Sequence, residues 1–298
     1  MTESTIAPAL LPFEHRYLEL DGVRIHYLDE GIGDTVLLLH GNPAWSFLYR
    51  KIIAGLRDEF RCVAPDYPGY GLSDAGPAGY AYTPREHSAM LERFIDALGL
   101  RDLTVMVQDW GGPIGLGLAA RRPELIRALI IANTFAWPNT ELRIRAFSAI
   151  IGGPIGRALT DRFNLVPRFF FRRGFAQPLA PGVRDAYMAP WRERARRRPA
   201  TIGPHQLIAA ADYLREVESG LARIADRPTL IVWGAKDFAF DHANQTRFEA
   251  RFPTHQTIVY PNASHFLQED VGDQIAESFK TFHRGFLDEN DPQPARPA

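Results

Sequence analysis

The stretch VMVQDWGGPIGLGLA, positions 105–119, narrows the folds open to this chain more than any other segment. Val105-Met106-Val107 is an apolar run of a length suited to a buried strand, and Gly111-Gly112-Pro113 opens a small-residue helix directly after it. A buried strand turning straight into a helix belongs to a sheet built with crossover connections. The pattern recurs: TVLLLH (35–40), RCVAPD (61–66), ALIIANT (128–134), TLIVWGAKD (229–237) and QTIVYPNASH (256–265) read as further strands. YLELDGVRIHYL (17–28) alternates around Asp21-Gly22, a hairpin signal. Helical periodicity fills the gaps. GNPAWSF leads into a helix with Leu48, Ile52, Ile53 and Leu56 on one face. A second spans about 85–98, stopping at Gly99, and a last one covers roughly 272–287. Alternating strands and helices predict an α/β fold, a mostly parallel sheet with helices on both faces.

Between 135 and 215 the rhythm stops, leaving Arg- and Phe-rich, Pro-punctuated helical sequence. This reads as a helical cap inserted over the carboxyl edge of the sheet, where open α/β sheets bind ligands. The predicted division is a core of 1–134 and 216–287, a cap of 135–215, and a proline-rich disordered tail at 288–298. Lys plus Arg (34) balance Asp plus Glu (35), which argues against a nucleic-acid or membrane partner. The Arg192–Arg198 run is read as a solvated face. The single Cys62, in an apolar run, points to a reducing compartment and a buried, inert thiol. With no membrane-length apolar run and no basic leader, the expected location is cytoplasmic.

Three polar residues follow predicted strand ends in the order nucleophile, acid, histidine: Asp109, Asp237 and His265. Each alone reads as a cap or turn residue; together, with a glycine-rich helix after the first, they read as a catalytic triad. A carboxylate with an ordinary pKa near ~4 is anionic at neutral pH and needs no base to attack. It suits displacement at saturated carbon. The alkyl ester formed on Asp109 then needs a water, activated by His265 and oriented by Asp237. The backbone N–H groups of Asn42 and Trp110 are the expected oxyanion donors. The Trp110 indole and the Asn42 amide supply neutral donors that can solvate a departing halide but cannot protonate a leaving group. No metal is needed, and His87, His205, His242 and His255 lack ligand spacing.

HGNPAWSFLYR (40–50), PDYPGYGLSD (65–74), QDWGGP (108–113), WGAKD (233–237) and SHFLQED (264–270) resemble the haloalkane dehalogenases of the α/β-hydrolase superfamily. The resemblance implies the α/β-hydrolase fold, with Asp109 as nucleophile, His265 as base, Asp237 as acid, and Asn42 and Trp110 as halide-stabilising pair. It also implies hydrolysis of a carbon–halogen bond to an alcohol and a halide, with no cofactor and water as co-substrate. The acid after WGAK, with Asn133 rather than a carboxylate after the strand before the cap, resembles the third subfamily. One departure is Val107, two residues before the nucleophile, where a small residue is usual and some strain is expected.

An epoxide hydrolase remains the main alternative, since it would use the same Asp with cap tyrosines, and Tyr187 and Tyr213 lie in the predicted cap. A cofactor-free oxygenase and a non-catalytic binding protein on the same fold are further alternatives. The expected ligands are a small apolar halogenated substrate and halide ion, with self-association into a homo-oligomer left open. Phe169, Phe170 and Phe171 are expected to pack between cap and core, or to line an apolar substrate tunnel.

Overall fold

In a computed structural model that describes residues 6–288, eight strands form a single sheet. They are β1 (Arg16–Leu20), β2 (Val23–Glu30), β3 (Asp34–Leu39), β4 (Phe60–Pro65), β5 (Leu103–Asp109), β6 (Ile126–Thr134), β7 (Thr229–Gly234) and β8 (His255–Tyr260). Their order is β1-β2-β4-β3-β5-β6-β7-β8; β1 and β2 pair antiparallel, as do β2 and β4, and all later pairs are parallel. Every residue of β5 and β7 is buried, which explains why these strands read as apolar runs without alternation. The α/β-hydrolase architecture expected from sequence is the one found.

Three helices pack on the first half of the sheet: α1 (Arg50–Leu56), α2 (Pro84–Ala97) and α3 (Gly111–Arg121). Leu48 sits in a 3-10 turn before α1, and it is buried together with Ile52, Ile53 and Leu56. The start of α2 is fixed by a capping box: Glu86 N–H donates to Thr83 Oγ1 at 3.2 Å, and Thr83 N–H to Glu86 Oε2 at 3.0 Å. Gly99 follows α2 with φ +63°, the left-handed stop that glycine permits. Between β6 and β7 there is no strand among the described residues. That interval holds α4 (Leu142–Ile151), α5 (Pro154–Phe163), α6 (Leu165–Arg173), α7 (Pro181–Met188), α8 (Arg198–Ala209) and α9 (Ala211–Gly220). The chain returns to the sheet with α10 (His242–Arg251) and α11 (Leu267–Phe282). The last helix starts five residues earlier than its periodicity predicts, because non-helical backbone at Val271 (φ −138°) breaks the pattern after its first turn. The proposed tail at 288–298 lies outside the described residues beyond its first position.

Buried ionic contacts fasten the helices of the inserted interval to the core. Arg50 on α1 makes a two-pronged pair with Glu269 on α11 (2.6 and 2.8 Å), and Tyr187 Oη of α7 donates to the same carboxylate at 2.7 Å. In the Arg192–Arg198 run, Arg192, Arg194 and Arg198 are exposed, as a solvated face requires, while the half-buried Arg196 and Arg197 also serve the fold. Arg196 donates to the carbonyls of Gly71 and Ser73, both at 2.9 Å, and Arg197 to those of Trp191, Asp161 and Arg192. Arg194 pairs with Asp161, and Arg198 lies over the Tyr82 ring. Guanidiniums here do the work of capping loop carbonyls, which charge counting along a sequence does not reveal. Cys62 is fully buried, and burial pushes its thiol up to about 12, so it is an inert core residue. Among the described residues no helix is long and apolar enough to cross a membrane.

Candidate active site

Asp109 ends β5 with φ +50°, a left-handed conformation that aspartate tolerates better than most residues. The turn works because its neighbours lack side chains. A Cβ on Gly41 would strike the Asp109 carboxylate, and one on Gly111 would strike the Leu39 carbonyl. The strain expected at Val107 is relieved in the same way: its side chain lies in space that a Cβ on Gly115 of α3 would invade at 2.8 Å.

The Asp109 carboxylate is held asymmetrically. Oδ1 accepts from the backbone N–H of Asn42 at 2.7 Å, and the backbone N–H of Trp110 also bonds the carboxylate. Oδ2 faces His265 Nε2 at 3.7 Å. Burial raises the Asp109 pKa, opposed by His265 and by the two backbone N–H groups. His265 is fully buried and its Nδ1 lies 3.2 Å from both Asp237 oxygens. Burial pulls the His265 pKa down, but Asp237 and Asp109 together outweigh it, so the net shift is upward. Rings of Phe170, Phe238, Phe240 and Phe266 surround the imidazole at 4.7–5.8 Å between centroids and keep water from its faces.

Two amides to which sequence reasoning gave no structural role hold the histidine loop. Gln108 Nε2 donates to the His265 carbonyl at 3.1 Å and lies 3.3 Å from His265 Nε2. That contact calls for an unprotonated Nε2, and hence for a proton on Nδ1, facing Asp237. Asn133, with φ +36° at the end of β6, donates from Nδ2 to the carbonyls of Ser264 (2.8 Å) and His265 (3.2 Å). Its Oδ1 accepts from the backbone N–H of Gly234 at 2.8 Å. One side chain therefore ties the strand that leads to Asp237 to the loop that carries His265.

The Asn42 amide is oriented from both ends. Tyr70 Oη donates to its Oδ1 at 3.1 Å, and its Nδ2 points toward the Ala200 carbonyl at 3.4 Å. Rotating the amide by half a turn would set Oδ1 against the Ala200 oxygen, so the NH₂ orientation is fixed. Tyr70 comes from the PGYG turn, where sequence gave no sign that a phenol would reach Asn42. The Trp110 indole stacks edge-on against Phe135 at 5.0 Å. Its N–H has no protein acceptor among the described residues.

A cavity of about 210 Å³ opens over Asp109, and Asn42 and Trp110 share its floor. Ile144, Phe147, Phe169 and Phe170 from α4 and α6 form much of its wall, with Leu207 from α8. Phe238 and Phe240, which follow Asp237, complete the apolar lining. Phe171 points elsewhere, into a cluster with Phe175, Tyr187 and Phe266. No tyrosine lines the cavity among the described residues. Tyr187 is committed to Glu269, and Tyr213, on α9, donates to the Pro113 carbonyl of α3 at 2.8 Å. The phenols that ring opening of an epoxide requires are thus engaged away from Asp109. Among the described residues no cluster of His, Cys, Asp or Glu could hold a metal.

Residues 34–270 match the family model for the alpha/beta hydrolase fold. The chain is 42% identical over 271 residues to haloalkane dehalogenase 2 of Mycobacterium tuberculosis, a match covering 90% of this chain and 94% of that protein. It is 34% identical over 289 residues to a cis-3-alkyl-4-alkyloxetan-2-one decarboxylase of Shewanella oneidensis, covering 92% and 89% respectively. The crystal structure of haloalkane dehalogenase DbeA from Bradyrhizobium elkani superposes with a TM-score of 0.82 at 25% identity, over 91% of this chain and 99% of that one.

Proposed function

The chain belongs to the α/β-hydrolase fold family and, within it, to the haloalkane dehalogenases, and from that premise we propose that Asp109 displaces halide from a haloalkane through a covalent ester. One observation carries the reading. The Asp109 carboxylate accepts from two backbone N–H groups and lines a largely apolar cavity that Asn42 and Trp110, two neutral donors, also line.

Asp109 Oδ2 attacks the carbon bearing the halogen, and the carbon–halogen electron pair leaves with the halide. The Trp110 indole N–H and the Asn42 amide N–H receive that anion, which needs solvation but no proton. Oδ1 becomes the ester carbonyl oxygen, already accepting from the Asn42 N–H, with the Trp110 N–H also bonding the carboxylate. His265 Nε2 then takes a proton from water, and the hydroxide attacks Cγ. The resulting oxyanion at Oδ1 collapses, the Cγ–Oδ2 bond breaks, and the alcohol leaves with the proton held by His265.

Esterification also retunes the base. Before attack, the charge of Asp109 helps to raise the His265 pKa. Once Asp109 is esterified that charge is gone, so the imidazole favours its neutral, proton-accepting form at the step that uses it. No cofactor enters this sequence, and water is the only co-substrate. The helices over the cavity act as a cap on the catalytic core, with the apolar walls excluding bulk water.

A second reading has specific support in the 34% identical oxetanone decarboxylase, because a four-membered lactone also offers an electrophile to a carboxylate that needs no activation. A panel of bromo- and chloroalkanes, epoxides and a cis-3,4-dialkyloxetan-2-one separates the readings by product. Halide and acid release from the haloalkanes is expected; diol from epoxides alone, or carbon dioxide and alkene from the lactone alone, would replace the assignment. His265→Phe should stop the second step, so intact-protein mass spectrometry with a bromoalkane should find the alkyl adduct on Asp109. Normal turnover by that variant would remove His265 from the mechanism.

A further inference from the structure

The helices over the active site carry a surface that catalysis leaves unused. On α5, Ile155, Leu159 and Phe163 recur at i, i+4 and i+8 and are 77%, 39% and 55% exposed. Ile150, at the end of α4, is 66% exposed. The other exposed positions on α5 are Pro154, Ala158 and Arg162, so its outward face holds one charge and is otherwise apolar. Single exposed aliphatics are ordinary, but an aligned stripe along one helix marks a surface that meets something.

The stripe runs into a groove of about 1220 Å³, which Arg162 and Phe163 also line. On α6, Arg168, Phe171 and Arg172 share the face turned to the groove, while Phe169 and Phe170 on the other side line the active-site cavity. Arg184 on α7 faces the groove from across it. Asp185 is the only carboxylate in the lining, and it pairs with Arg192 at 3.2 Å. Arg168, Arg172 and Arg184 have no acidic partner among the described residues, whereas most arginines elsewhere do.

An apolar stripe flanked by unpaired guanidiniums has the chemistry of a helix that lies in a membrane interface. A second copy of the chain suits it less well: a two-fold contact sets a patch against itself, which would bring the two arginine sets together. We propose that this face, α5 with the adjoining arginine groove, docks on an anionic phospholipid bilayer. Ile155, Leu159 and Phe163 enter the acyl boundary, and Arg168, Arg172 and Arg184 meet lipid phosphates. This departs from the expectation, drawn from balanced overall charge, that no membrane is involved; the balance is global and the excess is local. The same helices α4 and α6 also wall the active-site cavity, so docking sets the cavity beside the phase in which apolar substrates concentrate.

Vesicle flotation of the full chain tests the proposal. The wild type should float with vesicles containing phosphatidylglycerol and stay behind with pure phosphatidylcholine. Arg168→Gln with Arg172→Gln should lower the partition coefficient by about five-fold for each charge removed. Ile155→Ser, Leu159→Ser and Phe163→Ser together should also abolish flotation. All five positions are exposed, so both variants should keep the wild-type near-UV circular dichroism and Tm. Equal flotation with neutral vesicles, or none with anionic ones, would overturn the proposal. So would a wild-type dimer that the serine variant converts to a monomer, since a second copy would then cover the stripe. None of these readouts depends on turnover, so they stand apart from the test of the catalytic assignment.

Discussion

Replacing Tyr70 by Phe removes one oxygen and isolates the orientation of the Asn42 amide. The hydroxyl has one proton and two acceptors, Asn42 Oδ1 at 3.1 Å and the Pro199 carbonyl at 3.3 Å. Both distances exceed the ~2.7–2.8 Å usual for O–H···O bonds. The proton is therefore shared, and its link to Asn42 is worth about 0.5–1 kcal/mol, the low end for a neutral bond. Without it the amide retains only the long contact to Ala200, and the flipped orientation, oxygen toward the halide, becomes populated. The Tyr70–Asn42 bond is present with and without halide, so only the orientation enters the affinity: if the two orientations became equal, halide binding would fall about two-fold, or roughly 0.4 kcal/mol.

Iodide or bromide quenching of tryptophan fluorescence measures that affinity directly. Turnover of matched chloro- and bromoalkanes gives the kinetic counterpart, with the chloride reaction losing more because chloride depends more on solvation by the cradle. The coupling must run through Asn42, so Tyr70→Phe in an Asn42→Ala background should cost almost nothing more. Unchanged halide affinity in the single variant, or full additivity in the double one, would refute the argument.

Other consequences are as direct. Asp237→Asn removes the negative partner that raises the His265 pKa, so the acid limb of ester hydrolysis should move to lower pH while the rate falls; an unmoved limb would show that Asp237 does not set it. The sign follows because the neutral imidazole is the active form, and a lower pKa extends that form to lower pH. Trp110→Phe should weaken iodide binding while sparing the fold, and unchanged binding would remove the indole from the cradle. Glu269→Ala leaves Arg50 buried without its partner and should cost about 3–5 kcal/mol in urea unfolding. A loss under ~1 kcal/mol would mean that water reaches the guanidinium.

Asp109, Asp237 and His265 were legible because Asp109 ends and Asp237 follows a fully buried strand, His265 follows the edge strand β8, and strand order fixes which loops share one edge of the sheet. Asn42 and Trp110 were legible for the same reason. The cavity wall was not. Ile144, Phe147 and Leu207 sit on helices whose docking is decided by contacts far apart in sequence, such as Tyr187 with Glu269. The Tyr70 contact was hidden similarly, since only the fold of the PGYG turn brings the phenol to Asn42. The structural part of Arg196 and Arg197 was hidden because their partners are carbonyl oxygens, which every sequence possesses and none displays. The start of α11 was displaced because its first turn carries polar Gln268, Glu269 and Asp270, each drawn inward by a specific contact or by burial rather than by hydrophobicity.

The support given by Asn133 limits how this catalytic machinery can be rewired. Its NH₂ group serves two carbonyls and its oxygen serves one amide, a combination that no carboxylate can copy. Moving the acid to position 133, with Asp237 made neutral in exchange, would set a second set of lone pairs against Ser264 and His265. The histidine would gain a new neighbour and lose its mooring, so the swap needs a rebuilt loop as well as two exchanged side chains.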